Sequence, residues 1–200
     1  MTLKPAILLM APLLAAAAQP LPQLRTEAVT GGSVFHVKNA AAQPLTVVLI
    51  ELLGYPGSSY WLAQDVAIPP GVEALIPVGN MIVGAAPDYV KVTAALYADG
   101  SSAGDPAKVA MLEARRKTIA DTAKEAVRRI EEARQAGKDK AAIAAGLKEW
   151  AESIELPAKA NRLSPEAVNR TAARSTASKA AAYLSGHSIE ETIAHLGLAR

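Results

Sequence analysis

Between residues 24 and 97 apolar and polar positions alternate in short runs separated by turn-forming residues. In SVFHVK (33–38), Phe35 and Val37 fall on one face and His36 and Lys38 on the other, the period-two signature of a strand. LTVVLIELL (45–53) is almost continuously apolar, which predicts a strand buried near a sheet centre. YWLAQDV (60–66), residues 72–78 and YVKVTAALY (89–97) predict three more, the last with Val90, Val92, Ala94 and Leu96 inward. LRTEAV (24–29) predicts a further one. A loop over 39–44 and turn residues over 54–59 separate these runs. Pro69-Pro70-Gly71 fits a type II turn, and Asp99-Gly100 a hairpin. Short strands at this spacing predict a small antiparallel β-sandwich.

The period changes near Asp105. Asp105-Pro106 is an N-cap followed by proline in the first turn. A helix is predicted over 106–136, stopped by Gly137. Val109, Leu112, Ile119, Ala123, Ala126, Ile130 and Ala133 form its stripe, interrupted by Arg116. Such a helix is about 46 Å long at 1.5 Å per residue, longer than a small sandwich covers. Ile119 and Ile130 are therefore the candidate interaction surface, to be covered by later helices or by another molecule. Asp139 caps a second helix, with Ile143, Leu147, Trp150 and Ile154 on one face. Ser164-Pro165 starts a third, with Val168, Ala172, Ala180 and Leu184 inward and Gly186 as its stop. Ser188 with Glu191 is the capping box of a short fourth. The fold class predicted is α+β: an N-terminal antiparallel sandwich over 19–104 and a separate C-terminal helical region of about four helices over 105–200.

The first residues read as an address. MTLKPAILLMAPLLAAAA (1–18) has a positive start at Lys4, an apolar stretch and a small-residue end, the pattern of a signal peptide cleaved after Ala18. The alternative, an uncleaved anchor, conflicts with an apolar run of 13 residues interrupted by Pro12, since a spanning helix needs about 20. No later stretch is long and apolar enough to span a bilayer, so no transmembrane span is expected after cleavage. The expected destination is the periplasm or beyond, in a bacterial envelope.

Composition narrows the chemistry. The 200 residues carry 21 Lys and Arg against 19 Asp and Glu, a net charge of +2 that argues against a nucleic-acid partner. Absence of cysteine excludes disulfides, thiolate zinc sites and a thiol nucleophile. The G-x-S-x-G, phosphate-loop and dinucleotide motifs do not occur, no catalytic residue is assigned, and no cofactor is expected. Tyr55, Tyr60 and Trp61 cluster around a turn and are the candidate ligand-binding residues, able to stack on a sugar or a peptide; a sandwich core also uses such aromatics. In the Asp99–Asp105 stretch the two carboxylates are candidate metal ligands, for Ca²⁺. Their spacing departs from the EF-hand, and turn and cap duties account for both. His187, Glu190, Glu191 and His195 sit on neighbouring turns without a metal signature. His36 reads as a lone outward residue. Glu113/Lys117, Asp121/Lys124, Glu125/Arg128 and Glu125/Arg129 have helix ion-pair spacing, so the basic face of the long helix reads as solvated.

The order VFHVKN, QPLTVVLIEL, IPPGVEALIPV, VKVTAALYADG resembles immunoglobulin-like or fibronectin-type-III-like modules of secreted bacterial proteins. Its continuation, ALYADGSSAGDPAKVAMLEARR, resembles exported bacterial proteins that pass straight from the last hairpin into a helix. The resemblance covers about 33–117 and rests on strand and turn punctuation, so it implies a fold and no active site. The function expected is an exported, non-catalytic interaction or scaffold protein with a protein or cell-surface partner, self-association included. A carbohydrate-binding module or an enzyme of unknown class is the alternative.

Overall fold

The computed structural model describes residues 19–53, 60–79, 87–157 and 164–197. Among them are seven strands and four helices: β1 (Gln23–Val29), β2 (Gly32–Lys38), β3 (Leu45–Leu52), β4 (Tyr60–Ile68), β5 (Glu73–Gly79), β6 (Val90–Tyr97), β7 (Ser102–Gly104), α1 (Pro106–Gln135), α2 (Lys140–Ser153), α3 (Pro165–Gly186) and α4 (Ile189–Gly197). The class is α+β. The leader segment 1–18 lies outside the described residues.

Two antiparallel sheets form, β1-β2-β5 and β4-β3-β6-β7. Phe35 and Val37 from β2, Val48 and Ile50 from β3, Ile76 from β5 and Tyr97 from β6 share one core. The apolar run of β3 is explained by its position. It lies between β4 and β6, with Val48 and Ile50 in the shared core and Val47 and Leu49 in a second cluster beneath α1. The Pro70-Gly71 turn is built as expected, with Gly71 at φ +75° and Val72 N–H donating to the Pro69 carbonyl at 3.2 Å.

β6 corrects the expected alternation. Val90 and Val92 face the shared core, but so do Ala95 and Tyr97, whereas Ala94 and Leu96 face α1. The pairing register shifts between Leu49 and Ile50, opposite Ala94 and Val92, leaving Thr93 as an extra residue. A bulge reverses the faces of every residue beyond it, because the side-chain period is two. Its carbonyl accepts from the Asp105 N–H at 2.9 Å, and Gly104, at φ +109°, passes so close that a Cβ there would lie 2.2 Å from that oxygen. Only glycine fits this entry into α1.

The helix caps occur as read. Asp105 accepts from Ala107 and Lys108 N–H, Asp139 from Ala142, and Ser164 from Ala167. Ser188 and Glu191 form the reciprocal capping box. α1 joins the two halves of the chain. Val109, Met111 and Leu112 lie against β3 and β6, while Ala123, Ala126 and Ile130 pack with Ile143 and Leu147 of α2, Ala180 and Leu184 of α3 and Leu196 of α4. Small residues at Ala123, Ala126, Ala177, Ala180 and Ala181, all buried, let the helices approach closely without large side chains. No described helix is long and apolar enough to cross a membrane.

Candidate interaction surface

The two sheets treat their outer faces differently. That of β4-β3-β6-β7 is covered by the first turns of α1, fastened by Lys108, which reaches Glu51 at 2.7 Å while Thr93 donates to the other Glu51 oxygen at 2.5 Å. The outer face of β1-β2-β5 has no helix against it among the described residues.

His36 stands at the centre of that second face. Register places Arg25 of β1 and Leu75 of β5 directly opposite it, with Glu27 and Glu73 one pleat away on the same two strands. Its Nε2 lies 2.8 Å from Glu27 Oε2. Its Nδ1 lies 3.1 Å from Glu73 Oε1 and 2.6 Å from Arg25 Nη2. The His36 side chain is only 9 % exposed despite facing outward, because these long side chains close over it. A guanidinium only donates. When Arg25 donates to Nδ1, the ring is therefore neutral and gives its Nε2 proton to Glu27. When the ring carries two protons it donates to both carboxylates, and Arg25 is left with Glu73, 3.7 Å away. The same four residues thus support two hydrogen-bond arrangements that differ by one proton.

Beside this network the same face carries three apolar side chains. Leu75 is 62 % exposed, Pro77 is exposed and Val34 half-buried, and register sets Val34 opposite Pro77. An exposed leucine beside charged side chains has the layout of an interface centre with a polar rim.

The residues singled out from sequence are distributed elsewhere. Tyr55 lies outside the described residues, as do the side chains of Tyr60 and Trp61, whose backbones open β4 opposite Leu52 and Glu51. Asp99 accepts from the Ser101 hydroxyl at 2.6 Å and from its N–H at 2.9 Å, which holds its carboxyl below the usual value. Asp105 is the cap of α1. His187 and His195 stack on opposite sides of Tyr183, with ring centroids 3.8 and 4.1 Å away, while Glu190 faces Arg134 and Glu191 serves the capping box.

Ile130 is not a surface between molecules: it is fully buried by the later helices, one of the two covers its position required. Ile119 is half-buried and lines a cleft between α1, α3 and α4. Lys117 pairs with Asp121 rather than Glu113. Arg115 grips Asp65 of β4 with two 2.7 Å hydrogen bonds. Sequence reasoning missed both this pair and the His36 network. The one signal present for the latter was the outward alternation of charged residues on 23–29 and 33–38, without its cross-strand partners.

Comparison with family models, with curated proteins and with solved structures finds no match.

Proposed function

We propose that this protein is an exported, non-catalytic interaction or scaffold module of a bacterial envelope, with an immunoglobulin-like sandwich that receives a protein partner on the outer face of β1-β2-β5. The observation that carries the reading is the asymmetry between the sheets. One outer face is covered by the chain's own helix, and the other presents Leu75 beside a hydrogen-bonded charged network. Three- and four-stranded antiparallel sheets in the orders β1-β2-β5 and β4-β3-β6-β7 agree with the fibronectin-type-III variant of that sandwich. The expected leader supports export.

The test is capture from the envelope fraction of the native host with the wild-type protein and with Leu75→Asp. Leu75 is so exposed that the substitution leaves the fold intact, which an unchanged melting temperature checks. Loss of the captured partner supports the reading. An identical set of captured proteins refutes it. For export, the native protein is expected to begin after residue 18, and a mass spectrum showing an intact Met1 terminus overturns that part.

A further inference from the structure

The cleft that Ile119 lines belongs to a different face. It has a volume of about 170 Å³ and is bounded by Asp65 of β4, Arg115 and Ile119 of α1, Ser175, Thr176 and Lys179 of α3, and His195 of α4. Four elements thus meet there, and none of them builds it alone. Its apolar lining is Ile119 with Ala172, Ala180 and Leu196.

The polar lining is unevenly satisfied. Arg115 and Asp65 occupy each other in a two-point pair, and the Arg115 side chain is 14 % exposed, so the guanidinium is held in place. Lys179 and Ser175 are exposed at the cleft's mouth and Thr176 is half-buried, and none of the three has a side-chain partner among the described residues. The His195 ring is oriented by its stack on Tyr183. Arg115 and Asp65 cancel in charge, which leaves Lys179 as the cleft's cationic side chain without a carboxylate beside it. Its free polar groups are an ammonium, two hydroxyls and a ring nitrogen, all able to donate, over an apolar floor.

We propose that this cleft binds a small monocarboxylate with a short apolar body. The carboxylate meets Lys179, Ser175 and Thr176, and the carbon body lies on Ile119 and Leu196. A single negative charge matches the single unpaired positive one, and the apolar floor gives the stem a place that an inorganic ion does not use.

Titration of the purified full chain with sodium butyrate and with sodium formate at constant ionic strength tests this, read by the His195 ring and Ile119 methyl signals in NMR. Butyrate is expected to shift both saturably, with a dissociation constant of about 1 mM, and formate to bind more weakly because it lacks the stem. Lys179→Gln is expected to weaken butyrate binding about tenfold, equivalent to about 1.4 kcal/mol. Lys148→Gln, on α2 outside the cleft, is expected to change nothing. Absence of a saturable shift overturns the proposal. Equal binding of formate and butyrate, or unchanged binding by Lys179→Gln, overturns it as well.

Discussion

Asn39 shows how much one polar residue can organise. It is fully buried at the end of β2, and its amide nitrogen donates to the Gln43 and Ile68 carbonyls at 2.8 and 2.9 Å. Its side-chain oxygen accepts from the Ala41 N–H at 3.0 Å, and its backbone bonds to Val72 and Gly71. One side chain thereby closes the β2–β3 loop on itself and attaches it to the end of β4. Replacing it with alanine leaves buried carbonyls without donors, at about 1–3 kcal/mol for each such group. Asn39→Ala is therefore expected to lower the stability by about 2–3 kcal/mol, measured by urea unfolding. A loss within experimental error would show that water takes over its bonds. Tyr97 plays a comparable part, since burial raises its phenol's pKa and the hydroxyl donates to the Pro20 carbonyl at 2.5 Å, holding the start of the described chain to β6.

Among the elements, α1 combines two environments. Its outward side carries a ladder in which Arg128 bonds Glu125 and Glu132, and Arg129 bonds Glu125. Arg129 also lies over the Trp150 ring at 4.6 Å, which links the ladder to α2. The hydrogen bond from Arg128 is the largest influence on Glu125; desolvation opposes it, and the hydrogen bond from Arg129 with the charges of both arginines tips the balance, bringing the carboxyl to about 2 from 4.5. A lowered folded value means that the contribution is complete above pH 4.5 and is lost as pH falls through about 2. The effect is small because solvent screens the ladder. Glu125→Gln is expected to make the melting temperature less sensitive to pH between these values than in the wild type. Identical pH profiles would show that the ladder adds nothing to stability.

The inward side of α1 is the stronger determinant. Ile130 sits in the cluster of α2, α3 and α4, distinct from the core shared by the two sheets. Ile130→Ala removes buried aliphatic volume and is expected to cost about 2–5 kcal/mol. Hydrogen exchange should accelerate in α2, α3 and the second half of α1 while amides of β2 and β3 stay protected. Equal acceleration in the strands would show that the two cores unfold as one unit.

For the whole molecule, the question is what holds the two cores together. The first turns of α1 supply apolar contact through Leu112 and Val109, and Lys108–Glu51 and Arg115–Asp65 supply charge. The second of these pairs is two-pronged, with the arginine well covered and the aspartate 54 % exposed. A double-mutant cycle with Asp65→Ala and Arg115→Ala is expected to give a coupling of about 1 kcal/mol, near the upper end for pairs open to solvent, and to fall with added salt. Zero coupling would leave the apolar contact and the Lys108–Glu51 pair to hold the cores together.

Strand and helix positions were largely legible because their causes are local. The alternation in 33–38, the caps at Asp105, Asp139 and Ser164, the Ser188–Glu191 box and the Pro70-Gly71 turn depend on residues a few positions apart. The sequence by itself therefore determined where most elements begin, where they end and which face of β2 goes inward. Tertiary structure decided what those faces meet. One extra residue at Thr93 reversed the second half of β6, and only pairing with β3 reveals it. His36 became central instead of solitary because β1 and β5 flank it, with Glu73 37 positions away. Arg115 meets Asp65, 50 positions away. Sheet register and helix docking bring such partners together, and both arise from burying apolar area, a force without direction that records no individual pair in the local pattern of the chain.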